Sequence, residues 1–135
     1  MFSIQQRLID DQKKYPLEKY RFIDPVSGYK CSIVRNSEEL YYLAYVQLPK
    51  EHPDYKKHYS ELNISSNRYL TYSRKGKFGF DCDQSDDFNP GMYLSEYYRR
   101  NLQIAEERGI IYHYLTFEEV KVEILKISQE FFKRK

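Results

Sequence analysis

Residues 29–48 read YKCSIVRNSEELYYLAYVQL. Tyr29 to Arg35 alternates in polarity, with Tyr29, Cys31 and Ile33 on one side. Tyr41 to Leu48 is a second strand-forming run, and Asn36 to Glu39 between them has the composition of a turn. The stretch predicts an antiparallel hairpin, entered through the Asp24-Pro25-Val26-Ser27-Gly28 turn. Downstream, Arg68 to Ser73, the turn Arg74-Lys75-Gly76 and Lys77 to Cys82 predict a second hairpin.

Helices flank these strands. Ser3 to Lys14 places Ile4 and Leu8 on one face, and Pro16 stops the pattern. Met92 to Arg108 is predicted helical, with Gly109 suited to end it. Ile110 to Tyr114 reads as a short strand or extended connector. The strongest signal is the last. Thr116 and Glu119 form a capping box, in which each side chain satisfies a backbone N–H at the helix start. Phe117, Val120, Ile124, Ile127 and Phe131 then recur at three- and four-residue spacing on one apolar face. The expectation is a single α+β domain over residues 1–135, an antiparallel β-sheet of about four to five strands packed against a C-terminal α-helix.

A chain of 135 residues buries a core without staples. Its unusual feature is aromatic: 15 Tyr and 8 Phe with no Trp, so contact surfaces must be built from Tyr rings and hydroxyls. The formal charge of +2 predicts no general pull toward nucleic acid. Residues 1–14 lack the apolar run of a signal peptide, and no segment is long and apolar enough to span a membrane. The expectation is a cytoplasmic protein with Cys31 and Cys82 reduced.

Residues 78–91 concentrate polar chemistry. The aromatic strand ending at Phe80 runs into Asp81, Cys82, Asp83, Asp86 and Asp87. For Asp83 and Asp86 a solvated turn is expected, whereas Asp81, at the strand end, is placed to accept hydrogen bonds. The carboxylates do not follow a calcium-loop spacing, and His52 and His58 are six apart, so no metal is predicted. Carboxylates around Cys82 disfavour a thiolate. No nucleophile elbow or glycine-rich phosphate loop is present. No catalytic set and no cofactor are predicted. Between Lys50 and Tyr72, basic residues alternate with Tyr, a combination suited to phosphates and bases.

Three stretches carry a resemblance: 28–31 continuing through 46–55, 70–73, and Phe78-Gly79-Phe80-Asp81-Cys82 followed by Asp87. The 116–121 helix start also looks similar. Together they resemble a family of small phage and prophage proteins. That pattern has Trp where Lys77 stands, Gly-Gly at Arg68-Tyr69 and Ala-His at Asp83-Gln84. The resemblance implies a phage origin and, by analogy with small anti-defence proteins, a homo-oligomeric sponge that sequesters a nucleotide-derived immune signal.

The candidate ligand site follows. Tyr55, Tyr59 and Tyr72 are expected to stack on bases, with Phe78 and Phe80 as pocket wall. Arg68 and Lys57 are assigned to phosphate, Asp81 and Asp87 to hydroxyl or N–H donors of the ligand, and His52 to loop support. The expected partner is a nucleotide-type small molecule, with no membrane, and with nucleic acid disfavoured by the small net charge. Three alternatives remain open: inhibition of a host defence enzyme by protein–protein contact; metal-dependent hydrolysis of signalling nucleotides by converging Asp81, Asp83 and Asp87; and sequence-tolerant nucleic-acid binding, which predicts strong salt dependence and which the small net charge disfavours.

Overall fold

Strand alternation and one amphipathic helix determine the architecture. A computed structural model describes residues 2–64, 68–84, 87–88, 90, 96–109 and 113–135. The order is helix α1 (Phe2–Lys14), strands β1 (Lys19–Ile23), β2 (Lys30–Arg35) and β3 (Tyr42–Gln47), a 3-10 turn (Tyr59–Glu61), β4 (Tyr72–Arg74), β5 (Lys77–Asp81), and helices α2 (Glu96–Glu107) and α3 (Phe117–Lys133). The five strands form one antiparallel sheet in the order β1-β2-β3-β5-β4. The fold is α+β, with α3 laid across one face.

All five apolar positions expected on α3 are buried, against Ile33, Ala44, Val46, Phe78 and Phe80 of the sheet. Burying a large apolar side chain contributes about 1.5–3 kcal/mol. The Thr116–Glu119 capping box is also present, and a cap is worth about 1 kcal/mol. Packing therefore places this helix, and the cap sets where it begins.

The predicted hairpins form, with two adjustments. Lys19–Ile23 adds an edge strand, paired with β2 from Lys19↔Val34 to Ile23↔Lys30. The strand expected over 68–73 shrinks to Tyr72–Arg74, because Arg68 turns away to a carboxylate. Lys75 (φ 48) and Gly76 (φ 76) are both left-handed, as a two-residue turn of the kind that matches strand twist requires. Of the helix expected over 92–108, residues 92–95 lie outside the described residues, as do 110–112 of the connector. Gly109 (φ 81) ends α2 as expected, and His113 bridges Asp87.

Two buried carboxylates staple the layers. Asp11 of α1 accepts from Tyr42 Oη (2.8 Å), Tyr114 Oη (2.6 Å) and the Phe117 N–H (3.1 Å), and pairs with Arg35 Nη2 (3.3 Å). Asp24, in the β1–β2 turn, accepts from Ser27 and Ser128 Oγ at 2.7 Å, from Val26 N–H at 3.0 Å and from Gln129 Nε2 at 3.4 Å.

Asp11→Ala should cost about 3–5 kcal/mol in urea unfolding, because it strands the buried Arg35 charge. A cost below about 1 kcal/mol would show that Arg35 escapes to water. Asp24 tests the second staple by pH. Burial, the largest single influence, pushes its carboxyl up, but its four hydrogen bonds together hold it below the ordinary 3.8. Its folded value lies below its unfolded one, so its contribution is present above about pH 3.8 and is lost as pH falls through the folded value. Asp24→Asn should flatten the acid limb of the stability curve; an unchanged limb would refute the assignment.

Candidate ligand-binding face of the sheet

The residues expected to form a site are brought together only in part, and their polar groups are largely committed to the protein. Arg68 grips Asp87 with both terminal nitrogens, Nη1 to Oδ1 at 2.9 Å and Nη2 to Oδ2, with side-chain exposures of 12% and 3%. Arg68 Nη2 also donates to the Asp81 carbonyl (3.0 Å), and Asp87 Oδ2 accepts from the Gln84 N–H (2.9 Å). The pair assigned to phosphate and to hydroxyl or N–H donors of the ligand is thus a loop clamp. Asp81 Oδ1 accepts from the Asp83 N–H (3.1 Å), an Asx-type turn. Asp86 lies outside the described residues.

Phe78 and Phe80 are 0% and 1% exposed, so they are core and cannot wall an open pocket. Their strand turns its even-numbered side chains toward α3, and Phe78 packs on Phe131 at 4.9 Å. The Tyr55 ring lies over Gly76, in the space a Cβ would take, on the β4–β5 turn. Tyr59 donates its N–H to Ser73 Oγ (2.9 Å) and lies against His58, with ring centroids 4.3 Å apart. Lys57 pairs with Asp54 at 3.1 Å, and Arg134 holds the other oxygen at 2.8 Å. The Arg134 hydrogen bond, ahead of Lys57, keeps the Asp54 carboxyl below its ordinary value.

His52 is a buried strut. Its Nδ1 accepts the Asp54 N–H (3.0 Å), which leaves the proton on Nε2 to donate to the Phe131 carbonyl (2.7 Å) near the end of α3. It supports the loop as assigned, but by tying it to the last turn of α3. Burial pushes the Cys31 thiol up to about 12 and the Cys82 thiol up as well. Both cysteines are free, and β3 separates their strands. No group of three His, Cys, Asp or Glu fit to hold a metal is found among the described residues.

The opposite face of the sheet differs. Cross-strand pairing places directly opposed residues on one face. One row there is Arg21–Ser32–Tyr45–Gly79–Tyr72, and the next is Ile23–Lys30–Gln47–Lys77–Arg74. Among the described residues, α3 is the one helix with extensive contact to the sheet, and it covers the other side. A trough of about 550 Å³ opens here. Lys19, Arg21, Lys30 and Lys77 line it, and no carboxylate does. None of these four cations has a carboxylate partner among the described residues.

Local packing shapes the trough. Ser32 contributes a short side chain between Arg21 and Tyr45. Gly79 has no side chain, and the Tyr45 ring settles over it, with Cδ1 2.5 Å from where a Cβ would sit. Tyr72 meets Tyr45 edge-on at 5.3 Å, and Lys77 Nζ lies 5.5 Å from the Tyr45 centroid. Of the expected site, Tyr72 alone reaches this face among the aromatics, beside Asp81 at its corner.

Fold and site define a class: an α+β protein with a packed inner sheet face and a basic, aromatic outer one. Comparison with family models, curated proteins and solved structures yields no match for the chain.

Arg68→Ala should destabilise the fold by a few kcal/mol, roughly 3–5, by stranding Asp87. Thermal melts of Arg68→Ala, Asp87→Ala and the double variant would test it, with the double variant recovering part of the loss. Unchanged melting of Arg68→Ala together with lost phosphate binding would restore Arg68 to the ligand site.

Proposed function

We propose that this protein is a non-enzymatic binder that sequesters a phosphate-bearing, nucleotide-type ligand on the open face of its sheet. One observation carries the reading: four cations and no carboxylate line the trough. Unpaired like charges gathered on adjacent strands favour an anion, and adjacent Tyr rings offer a surface for a base.

Holding without turnover fits the chemistry of this face. Catalysis needs groups placed to move protons or to attack, and the Lys and Arg side chains of this face are arranged for binding and charge neutralisation instead. The thiols are buried and protonated, and the Asp81 carboxylate at the corner of the face is engaged by its own loop. The hydrolase alternative requires a converging metal set, and Asp87 is already committed to Arg68. The anti-defence part of the proposal rests on the likeness of residues 28–31, 46–55, 70–73 and 78–82 to small phage proteins.

The test is native mass spectrometry and a ¹⁵N-HSQC titration with ATP and with linear and cyclic adenine and guanine nucleotides. A retained, unmodified nucleotide should shift the amides of Ser32, Tyr45 and Lys77. Arg21→Glu and Lys30→Glu should each weaken ATP binding roughly tenfold or more, since an approaching phosphate then meets a like charge. Conversion of the nucleotide would replace the binder with an enzyme. Shifts confined to residues 81–87 would return the site to the acidic loop.

A further inference from the structure

The cations of the open face form a lane longer than one small anion needs. Lys30, Lys77 and Arg74 belong to a single cross-strand row, on β2, β5 and β4, with Gln47 between the first two. Strands lie about 4.8 Å apart, so this row runs roughly 14 Å. Tyr45 and Tyr72 belong to the neighbouring row, about 7 Å away along the strands. That offset is of the order of the distance between a phosphate and its own base. A lane of charge therefore runs beside a lane of rings, and both cross the strands in the same direction.

Two further features point to a polymer. Lys77 and Arg74 stand directly opposite each other, and like charges so placed oppose strand pairing unless an anion sits between them. Arg74 and Tyr72 also lie outside the trough lined by Lys19, Arg21, Lys30 and Lys77. A single nucleotide filling the trough leaves them unused, whereas a strand continuing across β5 reaches them. The small formal charge of +2 conceals this. Among the described strand residues of this face, Lys19, Arg21, Lys30, Arg74 and Lys77 stand against Asp81, which leaves the rest of the chain net acidic.

We infer that the open face takes single-stranded nucleic acid laid across the strands, with phosphates on Lys30, Lys77 and Arg74 and bases on Tyr45 and Tyr72. The inference rests on the proposed binding of phosphate-bearing ligands at this face. It names the ligand as an oligomer, in place of the small molecule that the resemblance implies. Ring stacking tolerates any base, so the recognition is of single strands and not of a sequence.

The experiment is fluorescence anisotropy with labelled deoxythymidine oligomers of about 2 to 12 nucleotides, beside ATP, a cyclic di-adenylate and a duplex. Affinity should rise with length and level off once the lane is covered, and should fall with salt. Arg74→Gln should weaken the longer oligomers about fivefold and lower the salt slope by about 0.7, leaving ATP binding unchanged. Tyr72→Leu should weaken them roughly tenfold. If ATP or the cyclic di-adenylate binds as tightly as the longest oligomer, the inference is overturned while anion binding at the face stands. Equal binding of the duplex, or an equal effect of Arg74→Gln on ATP, also overturns it. If no anionic probe binds, the reading of the face fails and takes this inference with it.

Discussion

The buried Asp11 carboxylate is the interaction on which the layers depend. It joins α1 to β2 through Arg35, to β3 through Tyr42, and to the entry of α3 through Tyr114 and the Phe117 N–H. Arg35 in turn donates to Tyr114 Oη (3.1 Å) and the Leu40 carbonyl (2.9 Å), and its guanidinium lies 4.2 Å from the Tyr42 centroid. Burial first, and then the charge and hydrogen bonds of their neighbours, hold the Tyr42 and Tyr114 phenols protonated and able to donate. A buried ion pair contributes little net energy unless its remaining hydrogen-bonding capacity is filled. Here it is filled by aromatic hydroxyls and backbone, so the network specifies which elements meet. Leu40, left-handed at φ 65, is held where its carbonyl meets Arg35.

Acids and bases are sorted by this arrangement. Asp11, Asp24, Asp54 and Asp87 are all buried. Asp11, Asp54 and Asp87 each hold an arginine, and Asp24 is held by neutral donors. Carboxylates that look reactive in a one-dimensional string are thus consumed in fastening loops and layers. The cations left over on the outer sheet face have no such partners. The proposed function rests on that imbalance more than on any single unusual residue.

The α3 face was legible because a helix period is local: Phe117, Val120, Ile124, Ile127 and Phe131 announce one side within a few turns. The hairpins were legible from turn chemistry, Lys75-Gly76 above all. Lys19–Ile23 also alternates, but its outward residues are charged and Pro16 lies close before it, so it is identified as a strand only with β2 beside it. The site was not legible for a deeper reason. Alternation tells which residues share a face and not which face is covered. The Arg21–Ser32–Tyr45–Gly79–Tyr72 row is assembled from five strands and exists only once the register is set. The acidic loop misled because Arg68 precedes its partner Asp87 by nineteen positions, and nothing in the spacing shows that the two meet.

Protection of sheet edges offers a competing account of the cations. Edge strands commonly carry Lys and Arg, which oppose pairing with another chain. That accounts for Lys19 and Arg21 on β1 and for Arg74 on β4, the two edges of this sheet. It does not account for Lys30 on β2 or Lys77 on β5, which are interior strands with both sides paired. Nor does it explain why Gly79 leaves room for the Tyr45 ring to lie across the sheet. Interior cations beside a flat aromatic ring raise the energy of the empty face through mutual repulsion. A bound polyanion would remove that repulsion, so the proposed ligand binding would be linked to fold stability through the same residues.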